Sequence, residues 1–247
     1  MIERVGSLSL LRFDPSRLDV FAPSLGGNRS RPTTAQEALA SGAVAVLDGP
    51  MFSRCDSAAL SGTDAERYAQ SQCSRVEYAL LGSEVSVGSL YPSNGATFSI
   101  VEGRAVVLPD AQVAQGARVA VQTYPHIVRA GRNIANPEHD TDRTWRAALV
   151  LLDTKELAFA IMQASMHAFA AALVALGAVE AGYTDGGGSG RLETADGQRV
   201  GSSENRRVGS WLVVRAAEGA GGVGGGGLLL LGAALLGAAW LASRRRP

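Results

Sequence analysis

Lysine, histidine and cysteine are nearly absent from this chain. Lys155 is the only lysine among 23 basic residues, and 247 residues hold three histidines and two cysteines. A GC-rich gene produces such an arginine bias by itself, so the bias carries no functional reading. His126, His139 and His167 stand in dissimilar contexts without ligand spacing, and no EF-hand-like pattern is present, so no metal is expected. Cys55 and Cys73 have neither a Cys-x-x-Cys spacing nor neighbouring histidines. Net charge is zero, which excludes the broad basic field of a nucleic-acid binder. The first residues, MIERVGSLSLLRFDPSRL, lack the apolar run of roughly 7–15 residues that a secretory signal peptide needs. Either an upstream start beyond Met1 or a tail-anchored cytosolic protein is expected from that end.

What is present is a globular composition, 46% hydrophobic and 19% charged. The periodicity predicts an α+β fold, a mixed β-sheet domain with few helices, followed by a C-terminal transmembrane helix. Strands are expected at Leu8–Phe13, Leu18–Phe21, Ala43–Leu47, Val119–Gln122, Ile127–Val128 and Ser210–Arg215. Hairpins are expected about Glu102-Gly103-Arg104, Asp153-Thr154-Lys155-Glu156 and Ala195-Asp196-Gly197. Thr33 or Thr34 caps a helix over Ala35–Ala40 that Gly42 ends, and Met166–Leu176 is a helix stopped by Gly177. The polar segment between Cys55 and Cys73 is a candidate disulfide-closed surface loop in an oxidising compartment, with two free cysteines as the alternative.

The tail GGVGGGGLLLLGAALLGAAWLASRRRP predicts location. Residues 218–227 read as a glycine-rich linker. Residues 228–243 read as a membrane anchor, short against the roughly 20 residues of a full span. Trp240 suits the interface, and residues 244–247 form a basic end that stays cytoplasmic. That orientation puts residues 1–217 outside the cytoplasm, in the cell envelope. The tail also resembles bacterial Gly-Gly sorting tails, which implies a sorting protease as a partner and release of the domain.

Two segments place acidic and glycine residues directly after apolar strands. One is Leu47-Asp48-Gly49-Pro50-Met51-Phe52; the other is Tyr183-Thr184-Asp185-Gly186-Gly187-Gly188-Ser189-Gly190, expected as an ordered loop facing the substrate. Glycines let a backbone approach a ligand and turn N–H groups toward an anion. The run is no P-loop, because no Lys-Ser or Lys-Thr follows. Nor is it a nucleophile elbow, since Arg191 stands where the last glycine belongs. By composition alone it reads as a linker or turn.

The block GAVEAGYTDGGGSGRLETADGQRVGSSENRRVGSWLVV resembles the closing signature of the phosphodiester glycosidase family, here in its bacterial form. Asp185 to Ser189 match the glycine motif, and Arg206 and Val208 come close to the closing element. Arg143 and Arg146 are similar to paired arginines of a bacterial branch, and Met166-His167-Ala168-Phe169 to its helix. Asp48-Gly49-Pro50-Met51-Phe52 corresponds to the loop where the family has asparagine first. Leu11-Arg12-Phe13-Asp14-Pro15 looks like the opening strand, so the likeness runs over residues 8–215. Asp48, Pro50, Tyr183 and Gly190 depart from the family's residues.

The resemblance implies hydrolysis of a sugar 1-phosphodiester or related glycosidic bond on surface or secreted glycans, without a cofactor. It implies Asp185 as general base or nucleophile, and Asp48 as its acidic partner or as a sugar-binding group. Arg143, Arg146 and Arg206 would hold the phosphate through bidentate contacts. The amides of Gly186, Gly187 and Gly188, with Ser189, would share that task, and His167 would shuttle a proton. Pairing of Arg143 and Arg146 with Asp140 and Asp142, and an ordinary helix-face role for His167, are the structural alternatives. The alternative function is a non-catalytic glycan-binding or cell-envelope protein that retains the fold.

Overall fold

The computed structural model describes residues 1–26, 29–50, 52–54, 74–76, 80–82, 86–87, 94–110, 112–137 and 142–217. The disulfide candidates Cys55 and Cys73 and the anchor candidate 228–243 lie outside them. Met1–Arg215 forms one unit, and its described residues build four sheets and two α-helices. This is the expected β-rich class with few helices. Among the described residues every strand pairing is antiparallel, and no helix is long and apolar enough to cross a membrane.

The largest sheet has seven strands, in the order Glu3–Val5, Leu8–Phe13, Leu157–Ala164, Thr144–Leu152, Ala178–Gly186, His126–Arg129 and Arg132–Asn133. A five-stranded sheet runs Arg199–Gly201, Arg191–Thr194, Ala43–Asp48, Trp211–Arg215 and Leu18–Phe21. A second five-stranded sheet is built around Val119–Thr123 and the hairpin Ala96–Val101 with Arg104–Pro109. A sheet of four short strands includes Phe52–Arg54.

Thr144–Leu152 shows why the sequence of these strands is almost unbroken apolar. Ala147 and Leu149 enter a central core with Phe13, Leu47, Phe98, Phe159 and Leu212. Ala148, Val150 and Leu152 enter a second core with Phe169 and Leu173 of the helix Met166–Ala175. A strand covered on both faces has no polar side to alternate. Phe159 meets Phe13 edge to face, with ring centroids 4.7 Å apart, and truncating such a side chain to alanine costs about 3–5 kcal/mol. In the same way Leu212 and Val214 face the central core, while Trp211 and Val213 pack on Ala35 and Ala38 of the helix Ala35–Ala40.

Local signals set the helix ends. The Thr34 hydroxyl accepts the Glu37 N–H at 3.3 Å, and the Glu37 carboxylate accepts the Thr34 N–H at 2.8 Å. That reciprocal cap satisfies two amides left free at the first turn. Ser165 caps the helix Met166–Ala175, accepting from the Ala168 N–H at 3.3 Å. Gly177, at φ +93°, ends that helix in a backbone conformation that side chains rarely adopt.

Candidate active site

The glycine segment departs from the expected loop. The strand Ala178–Gly186 carries Tyr183, Thr184 and Asp185 on to Gly186, because Tyr183 pairs with Ala148 and Gly186 with Arg146. Only residues 187–189 turn. Asp185 lies in a register irregularity bracketed by these two ladder pairs, and glycine composition frees no more than the three residues after Gly186. Across from it, Asp48 ends the strand Ala43–Asp48 of the five-stranded sheet. The two strands touch, and they bring Asp48 and Asp185 together.

Asp48 is fully buried. One carboxyl oxygen accepts the Arg191 N–H at 3.2 Å, and the other has no partner among the described residues. Burial, then the neighbouring Asp185 charge, raise its pKa well above the usual carboxylate range, and the Arg191 N–H opposes them only in part. Asp48 thus keeps its proton and presents an O–H donor. Thr184 Oγ1 and Ser210 Oγ are likewise buried without hydrogen-bond partners among the described residues. Gly49 lets Ser210 approach: a Cβ there would lie 2.1 Å from its Oγ.

Asp185 is partly buried. Burial raises its carboxyl to about 6, against the lowering effects of the Gly186 N–H at 2.7 Å, the Ser189 hydroxyl and the Arg206 charge. Both carboxyls are thus raised, and Asp185 ionises ahead of the more deeply buried Asp48. Environments that separate two carboxyl pKa values are the usual basis for acid and base roles.

Arg206 acts directly on Asp185, and Arg146 reaches the site through Tyr183. Arg146 donates to the Tyr183 hydroxyl and lies 6.0 Å from the centroid of its ring. Burial, then the Asp185 charge, keep that phenol protonated. Gly186 makes room for the hydroxyl, since a Cβ there would stand 2.3 Å from it. Arg206 packs its guanidinium over Gly188, where a Cβ would stand 2.4 Å from Cζ, and also pairs with Glu204. Arg191 is buried, and its guanidinium donates to the Asn205 side chain at 2.9 Å and to the Glu204 carbonyl. It fixes the segment that presents Arg206.

The remaining sequence candidates are placed differently. Arg143 is exposed and precedes the strand that carries Arg146. Arg146 itself reaches the Asp142 carbonyl at 3.3 Å. His167 is exposed and held by the Ala135 carbonyl at 3.0 Å and by Asn133. Of the three glycine amides, that of Gly186 goes to Asp185 and that of Gly187 to the Trp145 carbonyl at 2.9 Å, so both are engaged within the chain. Tyr183 and Arg191 were not singled out as site residues. A register irregularity between Tyr183 and Gly186 breaks the strand's alternation there, so spacing alone does not mark Tyr183, and nothing comparable marks Arg191. Among the described residues no group of three His, Cys, Asp or Glu side chains could hold a metal ion.

The family model for phosphodiester glycosidase matches residues 41–215, more than half of the chain. Among solved structures, the catalytic domain of zebrafish N-acetylglucosamine-1-phosphodiester alpha-N-acetylglucosaminidase, auto-inhibited by its pro-peptide, is similar. It is 13% identical at a TM-score of 0.59, over 85% of this chain and 76% of that one. A Burkholderia pseudomallei K96243 protein described as exported is also 13% identical, at a TM-score of 0.60, over 85% of this chain and 74% of that one. At that identity the two structures speak for the fold alone. No curated protein matches the sequence significantly. With its ordered motifs, its fold and the match over residues 41–215, the chain belongs to the phosphodiester glycosidase family.

Proposed function

We propose that the protein hydrolyses a sugar 1-phosphodiester or a related glycosidic bond on surface or secreted glycans. The observation that carries this reading is the Asp48–Asp185 pair, which two touching strands bring together with Asp48 fully buried, so that burial raises both carboxyls, Asp185 to about 6. In the reaction a water oxygen attacks the anomeric carbon. The bond from that carbon to the phosphate oxygen breaks, and its electron pair leaves with the phosphate. Asp185, ionised at neutral pH, takes the proton of the water. Asp48 donates a hydrogen bond to the sugar or to the departing oxygen. A phosphate leaves as a stable anion, so charge stabilisation matters more than acid assistance. Arg146 and Arg206 supply it through charge-assisted hydrogen bonds. Arg143 and His167 have no step in this scheme.

In the same proposal residues 1–217 work outside the cytoplasm, 218–227 are a linker, 228–243 tether the domain and 244–247 stay inside. Fractionating cells that express the chain with and without 218–247 tests the tether, and recovery of both forms in the soluble fraction would remove it.

For the reaction, the purified chain is assayed against a panel of sugar 1-phosphodiesters beside Asp185→Asn. Turnover that falls about 10²–10⁴-fold in the variant is expected of a lost general base. Glycan binding without turnover in the unmodified protein would replace the hydrolase with a non-catalytic binding protein.

A further inference from the structure

A cavity of about 570 Å³ lies on the seven-stranded sheet, lined among others by Tyr124, His126, Arg129, Ile134, Arg146 and Met166. Its size falls in the range of small-molecule sites, roughly 300–1,000 Å³, and exceeds what one phosphate group fills. Arg146 belongs both to this cavity and to the carboxyl site, through its bond to the Tyr183 hydroxyl. The cavity wall is also joined to Tyr183 by backbone. The Tyr124 N–H donates to the Tyr183 carbonyl, and the Tyr183 N–H donates to the Pro125 carbonyl, both at 3.0 Å. A phosphate held by Arg146 therefore has the reacting carboxyls on one side and this cavity on the other.

The cavity's polarity is one-sided. Arg129 is exposed, and its Nε and Nη2 both point to His126 Nδ1 at 3.2 Å. Since guanidinium only donates, Nδ1 accepts, and the ring proton sits on Nε2, facing Glu180 at 2.7 Å. Burial holds the His126 pKa below its usual value, so the ring stays neutral. Glu180, the nearest acid, is turned to His126 Nε2 and to the Ala130 N–H at 3.1 Å. No Asp or Glu is found among the described lining residues. Two guanidinium groups thus bracket a partly apolar hollow formed by Pro125, Ile134 and Met166.

Resting on the hydrolase reading above, we propose that this cavity receives the second ester arm of the phosphodiester and selects an arm that ends in its own negative charge. Arg146 takes the phosphate that both halves share, the apolar hollow takes the body of the arm, and Arg129 meets the terminal carboxylate or phosphate.

Two synthetic sugar 1-phosphodiesters test this, with the same sugar and a short alkyl arm ending in carboxylate or in hydroxyl. The unmodified chain is expected to prefer the carboxylate arm about tenfold in kcat/KM, the effect of one charge-assisted hydrogen bond. Arg129→Gln should remove that preference. Ile134→Glu, at an exposed lining position, should invert it by setting a carboxylate against the arm's terminus. Equal rates for the two arms, or a preference untouched by both variants, would overturn the assignment. If neither compound is turned over, the hydrolase reading falls, and calorimetric titration with the two phosphorylated arms alone decides the cavity. Tighter binding of the carboxylate arm that Arg129→Gln abolishes retains the assignment, and equal binding removes it.

Discussion

Arg191 holds Asp48 through its backbone and the Arg206 segment through its side chain. Its N–H donates to the Asp48 carboxyl at 3.2 Å, while its buried guanidinium donates to Asn205 and to the Glu204 carbonyl. One residue thus spans the buried acid and the loop carrying an anion-binding arginine. Arg191→Met keeps the backbone bond and deletes the guanidinium. Losing two charge-assisted hydrogen bonds, whose acceptors lie on exposed residues that water can re-solvate, should cost about 1–3 kcal/mol, a fall in Tm of roughly 2–12 °C for a domain of this size. Thermal unfolding checks the stability. A kcat/KM loss in assays well below the new Tm checks the effect on Arg206, and wild-type values in both would refute the linkage.

The pH dependence follows from the carboxyl pair. Asp185, raised by burial to about 6, must be ionised to accept a proton, so kcat/KM should fall on the acid side of about pH 6. Asp48, raised further by burial and by Asp185, must keep its proton, so activity should fall again where it ionises. Asp48→Asn removes that alkaline limb and retains the donor. It should keep the rate within about tenfold of the unmodified enzyme, since one neutral hydrogen bond replaces another. A flat profile from pH 5 to 8 would contradict the assignment.

The same shifts act on stability with the opposite sign to an ion pair. A carboxyl whose folded pKa is raised binds more protons folded than unfolded, so its contribution weakens as pH rises. For Asp185 that contribution is fully present below 3.8 and is lost as pH passes about 6. Asp185→Asn should therefore gain Tm relative to the unmodified chain as pH is raised from 4 to 7. Paired melting curves across that window would show a constant difference if the Asp185 pKa were unshifted.

Much of the fold is legible because two physical patterns are local. Strands buried on both faces, such as Leu157–Ala164, read as apolar runs. The Thr34–Glu37 cap and Gly177 mark helix ends within one turn. The site is legible as an ordered set of residues, not as a geometry. Arg143 and Arg146 look equivalent as letters, yet only Arg146 lies within a strand and beside Tyr183. Tyr183 stands out only as a departure from the family's residue, because the room that Gly186 leaves for its hydroxyl comes from strand pairing. Asp48 looks like the loss of an asparagine donor. Its complete burial reverses that, because a protonated Asp48 donates as an amide does.

Tyr183 supplies a sharper test of phosphate binding. Its ring is buried among Leu10, Ile127 and Phe169, while its hydroxyl receives Arg146. Tyr183→Phe keeps the packing and removes only the acceptor. Arg146 then keeps its bonds to the Ala164 and Asp142 carbonyls but loses the contact that turns it toward the carboxyl site, so KM for the phosphodiester should rise up to about tenfold with kcat little changed, the pattern of lost uniform binding. Tm should move little. A large kcat loss at constant KM would instead place the phenol at the reacting atoms.

Gly188 and Arg206 should act as one unit. The φ of Gly188 lies outside the left-handed region, so its backbone accepts alanine, but the new Cβ would stand 2.4 Å from Arg206 Cζ. The guanidinium must then swing off the turn and away from Asp185, whose carboxyl it now helps to keep ionised. Gly188→Ala and Arg206→Ala should each lower kcat/KM roughly 10–100-fold, the cost of one or two charge-assisted hydrogen bonds. Both should move the acid limb of the rate profile upward. Because each removes the same contact, the double variant should be no worse than Arg206→Ala alone. Losses that instead multiply would mean that the glycine serves the turn by itself and that Arg206 binds its anion from elsewhere.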